Sequence, residues 1–281
     1  KCSNLCMDKF ATSETLHGAK IPGVTTPKKM LLKLSENPKK IWEKLKKNHF
    51  PKSLIIKPRC DGCSAGIIKI KSLKELKKVL TYFKNNRGHI PAKAIHSKHQ
   101  QIALPSQKLK EVLIEEFIQT DKISLKNLKI KWKPVTNFIE ITVGCLGNGK
   151  NIRVMLPSQT IANLETLSLE EKFMGGTGIN LVPPPEQFVK REVIQKVRKN
   201  LEKVARALEI EGYSRIDCFM NIKNGNIIVI EANTLPALTP STTFFQQAIK
   251  MKPSLKPLQL IEKIIELGKK SINPPSAAFS K

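Results

Sequence analysis

The sequence predicts an α+β fold of antiparallel strands with interleaved helices, on three observations. Short apolar runs of alternating character recur, and two of them flank Asn224-Gly225, a strong hairpin signal. Amphipathic helical segments fall between strands without the regular alternation of a doubly wound parallel sheet. The 281 residues, 40% of them hydrophobic, suffice for one large domain or two smaller ones.

Up to residue 27 the chain has little periodicity and reads as an opening segment. Residues 38–47 predict a short helix with Ile41, Trp42 and Leu45 inward. Residues 53–57 are a short apolar strand, 58–66 a glycine-containing loop and 67–70 a second strand. Ser72 and Glu75 form a capping box, which satisfies two orphan amides at the start of a helix running to about Asn86. A polar loop rich in His, Ser and Gln follows, with His89, His96 and His99 read as solvated. Next come a strand over 112–118, a lysine-rich stretch over 122–133 that looks inserted, and strands over 138–146 and 152–156. Gly175-Gly176-Thr177-Gly178 is a mobile-loop candidate, Pro183-Pro184-Pro185 a stiff boundary, and residues 186–210 a long amphipathic helix ended by Gly212. Strands over 214–222 and 226–232 and short helices over 242–249 and 258–267 complete the chain.

The net charge of +26, from 49 basic and 23 acidic residues, would ordinarily suggest nucleic-acid binding, because clustered cations release counterions from phosphates. Only seven of the basic residues are Arg, the lysines are spread over every helix surface, and aromatics at 5% offer few stacking platforms. Composition therefore predicts a solvated lysine-rich surface and no specific nucleic-acid partner. No apolar run reaches the roughly 18 residues of a membrane helix, and the first residues lack a secretory pattern, so a soluble, cytoplasmic protein without a membrane partner is expected. Six cysteines, at 2, 6, 60, 63, 145 and 218, are too sparse for a disulfide framework, and the Cys60/Cys63 pair lacks a second pair at zinc spacing.

The hairpin register decides whether Asp217 and Glu231 share a face. A two-residue Asn224-Gly225 loop pairs Asp217 with Ala232 and turns Glu231 away. A three-residue loop, Lys223-Asn224-Gly225 with Gly225 left-handed, pairs Asp217 with Glu231 and puts Asn233 on the same face; the second arrangement is the expectation. Two carboxylates and an amide form an all-oxygen donor set, and paired carboxylates repel unless a cation lies between them. Such a set suits a hard ion such as Mg²⁺ better than zinc.

Around this hairpin, Arg215-Ile216-Asp217, Glu231-Ala232-Asn233-Thr234-Leu235-Pro236 and Thr239-Pro240 resemble the C-terminal signature of the D-alanine:D-alanine ligases, members of the ATP-grasp superfamily. Further pieces follow in the family's order. Met7-Asp8-Lys9 resembles the opening of its central domain. Lys57-Pro58 with Gly62-Cys63-Ser64-Ala65-Gly66 resembles the phosphate-covering loop, and Leu113 to Ile118 the adenine-flanking hinge. Glu140 to Gly147 resembles the strand with the ribose acid, and Glu171-Lys172-Phe173 the loop over the γ-phosphate.

The resemblance implies two subdomains with antiparallel sheets holding ATP between them, a small one over 28–120 and a large one over 121–281, with 121–137 as an insertion. It implies that Lys9, Lys57 and Lys172 contact phosphates, that Glu115, Glu116, Phe117 and Ile118 frame adenine, and that Glu140 holds the ribose. Asp217, Glu231 and Asn233 would bind two Mg²⁺ ions, with Mn²⁺ as a substitute, and Arg215 would stabilise an oxyanion. Ser64, Phe173, Ala237, Thr242 and Thr243 would lie near small amino-acid substrates, D-alanine foremost, with Arg215, Ser64 and Lys172 serving the chemistry. Phe173 stands where many members have Tyr, and Ala237 where they have a Gly whose N–H helps the oxyanion. Nothing before Lys1 matches the family's N-terminal domain, so an incomplete enzyme is expected. The implied activity is an ATP-dependent carboxylate–amine ligase making a dipeptide for peptidoglycan precursors through an acyl phosphate, with a homodimer allowed. The alternatives are a ligase for another amino or hydroxy acid, an inactive ATP-binding fragment, or a basic nucleic-acid-binding protein.

Overall fold

Alternating side chains give each of two sheets an apolar face and a second, more polar one, and the chain, seen in a computed structural model, divides into two compact units. The structure describes residues 2–62, 65–97, 99–126, 129–161, 179–239 and 242–272. In chain order, the first half contains α1 (Cys2–Met7), α2 (Lys9–Ala19), β1 (Val24–Thr25), β2 (Lys29–Lys33), α3 (Pro38–Lys47), β3 (Leu54–Pro58), β4 (Ile68–Ile70), α4 (Leu73–Asn85), β5 (His89–Ile90), β6 (Ile102–Ala103) and β7 (Glu111–Glu116). After it come β8 (Lys122–Lys126), β9 (Lys129–Lys133), β10 (Phe138–Leu146), β11 (Arg153–Val154), β12 (Gln159–Ile161), β13 (Ile179–Leu181), α5 (Arg191–Ala207), β14 (Tyr213–Asn221), β15 (Ile227–Asn233), α6 (Thr243–Ile249) and α7 (Pro257–Ile272). Among the described residues no helix is long and apolar enough to cross a membrane.

One unit comprises Met7–Ala11 and Pro27–Ile118. Its antiparallel sheet runs in the order β2-β7-β3-β4. Leu32, Leu54, Ile56, Val112 and Ile114 on one face meet Ile41 and Leu45 of α3 and Leu76, Val79, Leu80 and Phe83 of α4. The helices start where their caps demand. Asn37 accepts the Lys39 N–H ahead of Pro38, and Ser72 accepts the Glu75 N–H at 3.3 Å. Gly66 closes the loop after β3 at φ +67°, and a Cβ there would lie 3.0 Å from both Pro58 and Phe83.

The other unit comprises Lys1–Cys6, Thr12–Thr26 and Gln119–Lys281. Its sheet runs β1-β15-β14-β10-β11, antiparallel except for β1, which lies parallel to β15 with Val24 beside Ile227. Ile139, Ile141, Val143, Ile216, Cys218, Met220 and Val229 turn to one side and pack with Val197, Leu201 and Val204 of α5. The lysine-rich stretch is a β8–β9 hairpin. Buried Asp121 holds its base by accepting the N–H groups of Val135, Thr136 and Asn137 and the Trp132 indole N–H, all at 2.8–2.9 Å.

Two expectations are corrected. Residues 1–27 are not irregular; they hold α1, α2 and β1. Their helical character is hidden because the inward side of α2 is largely polar: Leu16 enters the core, but buried Ser13 meets Thr26 at 2.5 Å, and buried Thr12 donates to the Leu5 carbonyl at 2.9 Å. Hydrophobic periodicity is blind to such a face. The long helix begins at Arg191, not at 186, because the chain after Pro185 first makes a turn, Phe188 and Val189 both donating to the Pro185 carbonyl. The expected mobile loop at 175–178 lies outside the described residues.

Candidate functional site

The β14–β15 hairpin places Asp217 directly opposite Glu231 and Arg215 opposite Asn233. The loop is not the expected three residues. Asn221 donates to the Asn226 carbonyl at 2.8 Å, so four residues, 222–225, connect the strands, with Gly225 left-handed at φ +70°. From that end Met220 pairs with Ile227, Phe219 with Ile228 and Cys218 with Val229. Continued unchanged, this register would set Ile230 against Asp217 and turn Glu231 inward. A β-bulge between Asp217 and Cys218 absorbs Ile230, and beyond it Glu231 faces Asp217 while Ala232 enters the core. The turn and the bulge together reach the arrangement that a shorter loop would have given.

β10 completes this face. Thr142 pairs with Asp217 across the strands and donates Oγ1–H to Asp217 Oδ1 at 2.8 Å, and Glu140 lies two residues earlier on the same side. Arg215 grips Asp217 with two bonds, Nε to Oδ1 at 3.1 Å and Nη2 to Oδ2 at 3.0 Å. Asn233 Nδ2 lies 3.3 Å from both Asp217 Oδ2 and Glu231 Oε1. Asp217 is 6% exposed, so these bonds form where water competes weakly. Thr242 starts α6, its hydroxyl donating to the Thr239 carbonyl at 2.8 Å; Thr243 is the first helical residue and Ala237 is partly exposed. Among the described residues no three His, Cys, Asp or Glu side chains converge on a metal position. The donor set here is two carboxylates and one amide.

The second group of residues belongs to the other unit. Asp8 caps α2 by accepting the Phe10 and Ala11 N–H groups at 3.0 Å, and Arg59 clamps Asp8 through Nε and Nη2 while its Nη1 reaches Glu111 at 2.6 Å. That clamp fixes Lys9, the first residue of α2, whose buried ammonium donates to the Asp61 carbonyl. Glu115 on β7 pairs in register with Lys29 on β2 and lies diagonal to Lys57 on β3. Its oxygens meet Lys57 Nζ at 2.7 Å and Lys29 Nζ at 3.0 Å, all three side chains being about 95% buried. Burial works against the charge of Glu115, but the two ammonium groups outweigh it and hold the carboxyl below its ordinary value. Burial pushes Lys29 below the usual lysine value despite Glu115. Glu116 is tied to β2, its Oε1 accepting the Lys28 N–H at 2.8 Å, and Phe117 carries the Lys69 ammonium 3.2 Å from its ring centroid. Ile118 is partly exposed.

Asp217, Glu231, Asn233, Arg215 and Glu140 thus share one sheet face, and Lys9, Lys57 and Glu115 one unit. Ser64, Lys172 and Phe173 lie outside the described residues. Sequence reasoning missed Thr142, Lys29 and Arg59. Thr142 was findable, standing two residues beyond Glu140 and hence on its face. Lys29 carried no signal among 49 basic residues.

The family described as "D-ala D-ala ligase C-terminus" matches residues 133–266. The D-alanine–D-alanine ligase of Carboxydothermus hydrogenoformans is 26% identical over 273 residues, 95% of this chain and 70% of that protein. Among solved structures, the D-alanine–D-alanine ligase of Coxiella burnetii superposes with a TM-score of 0.65 at 17% identity, over 96% of this chain and 58% of that one. The enzyme of Bacillus anthracis complexed with ATP gives 0.60 at 21%, over 96% and 68%. The chain therefore spans between 58% and 70% of the lengths of these relatives. Residues 133–266 thus match the model of the D-Ala–D-Ala ligase C-terminal family, and over nearly its whole length the chain has the ATP-grasp fold of the solved D-alanine–D-alanine ligases.

Proposed function

We propose that the chain is the nucleotide- and metal-binding part of an ATP-dependent carboxylate–amine ligase that joins two D-alanine molecules. The observation that carries this reading is the bulge-corrected hairpin, which sets Asp217, Glu231 and Asn233 on one face beside Arg215 within the segment matched to the ligase family. The donor set fits a hard divalent cation, since two carboxylates bring negative charge and Asn233 carries an amide oxygen a half-turn from its placed NH₂. Asp217, Glu231 and Asn233 would hold two Mg²⁺ ions, or Mn²⁺, which bound with ATP would neutralise phosphate charge.

The chain's own groups do the rest. Lys9 and Lys57, with Lys172, hold the phosphates of ATP, and Glu140 accepts from the ribose hydroxyls. Because the Glu115 and Glu116 side chains are already engaged, the adenine frame falls to the backbone of 115–118 and to Phe117 and Ile118. A substrate carboxylate attacks the γ-phosphorus and ADP departs, giving an acyl phosphate; the amine of the second amino acid then displaces inorganic phosphate. Arg215 offsets the charge that develops on the carbonyl oxygen. Ser64, Phe173, Ala237, Thr242 and Thr243 surround the two amino acids, and Ala237 has an N–H to offer as readily as a glycine.

Titration of ATP with and without Mg²⁺ is the first test. Wild-type chain is expected to bind ATP in a Mg²⁺-dependent way, and Asp217→Asn with Glu231→Gln to lose that dependence; an unchanged affinity in the double variant removes the metal site. Phosphate release on adding D-alanine, to this chain or to the full product of its gene, tests the ligase. Release with another amino or hydroxy acid instead corrects the substrate.

A further inference from the structure

Gln247 is wholly buried, polar, and outside every role assigned above. Its amide bridges the main chain of β10: Nε2 donates to the Thr142 carbonyl at 2.7 Å, and Oε1 accepts the Gly144 N–H at 2.8 Å. The sheet is interrupted here. β11 pairs with β10 only at Cys145 and Leu146, and the chain beyond it returns at Ser158, which exchanges two bonds of 2.8 Å with Thr142. The Gly144 N–H falls in the gap between, and the glutamine amide stands in for the missing peptide group. Glycine at 144 permits this approach, because a Cβ would come within 2.9 Å of Met155 Sδ, Gln247 Oε1 and Phe244 Cε2.

An aliphatic side chain of the same length would fill the space but leave the buried Gly144 N–H without a partner. The amide also fixes the segment at Thr142, whose hydroxyl is bonded to Asp217 at 2.8 Å. Gln247 belongs to α6, the helix that begins at Thr242 and Thr243. One side chain therefore joins the helix that starts at the substrate turn to the strand that orients the metal carboxylate.

We propose that Gln247 is a positioning residue of the metal–nucleotide site, holding Thr142 against Asp217 and setting the spacing between Asp217 and the Thr242–Thr243 turn. This rests on the reading of Asp217 as a metal ligand.

The test is titration of the full chain with the Mg²⁺ complex of a non-hydrolysable ATP analogue, alongside thermal melting. Gln247→Leu is expected to weaken binding about tenfold, the usual scale for an outer-shell partner of a metal ligand. Thr142→Val should match it, and the double variant should fall no further, since both act through one bond. Gln247→Glu supplies a readout that packing cannot imitate. Ionised at about pH 8, its oxygens face the Thr142 carbonyl and binding should resemble that of Gln247→Leu; toward about pH 5.5 a buried carboxyl protonates, donates to that carbonyl, and affinity relative to wild type at the same pH should recover. If Gln247→Leu does not fold, this ratio alone decides. Variants that melt earlier but bind as wild type does, with a ratio independent of pH, overturn the proposal. Wild-type protein that binds none of the probe brings down the functional reading and this one with it, whereas wild-type binding that neither variant alters brings down this one only.

Discussion

At Glu115 one carboxylate answers two ammonium groups below the surface, and removing it strands both. Glu115→Gln is expected to destabilise its unit by about 3–5 kcal/mol, the usual cost of breaking a buried ion pair from one side, as measured by urea unfolding. A loss under about 1 kcal/mol, the level of an exposed pair, would mean that the three groups are solvated in solution. The same residue shows what single positions disclose in a sequence. Lys57 could be singled out because Pro58 and a glycine-bearing loop follow it, and Asp217 because Arg215 and Glu231 accompany it. Lys29 has comparable burial and the same partner as Lys57. Its neighbours are ordinary strand residues in a chain with 49 basic side chains, so composition hides it. Chemistry shared across strands is written in register, which no local window contains.

Among elements, the β14–β15 hairpin was legible as a hairpin and its facing pair as a pair, but not the route to them. Asn224-Gly225 announces a turn without fixing its length, and a bulge of one apolar residue has no compositional mark. Strand parity gives a test. Deleting Ile230 removes the residue that the bulge absorbs, so Glu231 should still stand opposite Asp217 and Mg²⁺-dependent nucleotide affinity should stay within about tenfold of wild type. A loss as complete as that of Asp217→Asn with Glu231→Gln would show that the bulge does more than keep parity. α2 was illegible for a different reason: Leu16 reaches the core, but beside it the inward side carries Thr12 and Ser13, which are satisfied by hydrogen bonds. The β8–β9 hairpin was legible only as a lysine-rich stretch. Its anchor, Asp121, collects donors from residues 11 to 16 positions away, beyond the reach of a capping rule.

For the whole molecule, acid sensitivity joins parts that share no contact in sequence. Asp8, Glu115 and Asp121 each sit below the ordinary values of 3.8 or 4.5: burial opposes their charge, and it is outweighed by Arg59 and two backbone amides at Asp8, by Lys57 and Lys29 at Glu115, and by three amides and an indole at Asp121. A carboxyl depressed on folding binds fewer protons in the native state, so its contribution is whole above its unfolded value and is lost as pH falls through its folded one. The contribution of these three carboxyls to the unfolding free energy should therefore be level above about pH 5 and decline below about pH 4, with a shallower decline in Asp121→Asn, as read from urea midpoints across that range. A midpoint that rises on acidification would contradict these three environments together. The α+β class was readable at this scale because it needs only the order and period of the elements. The interleaving of the two units was not, since β1 pairs with a strand from the far end of the chain. A chain made from its N-terminus has every strand of β2-β7-β3-β4 in hand once Glu116 has emerged, while Val24 must wait for Ile227. On the ribosome the lysines are thus ready to take shape early, and the carboxylates they would work with arrive only with β14 and β15.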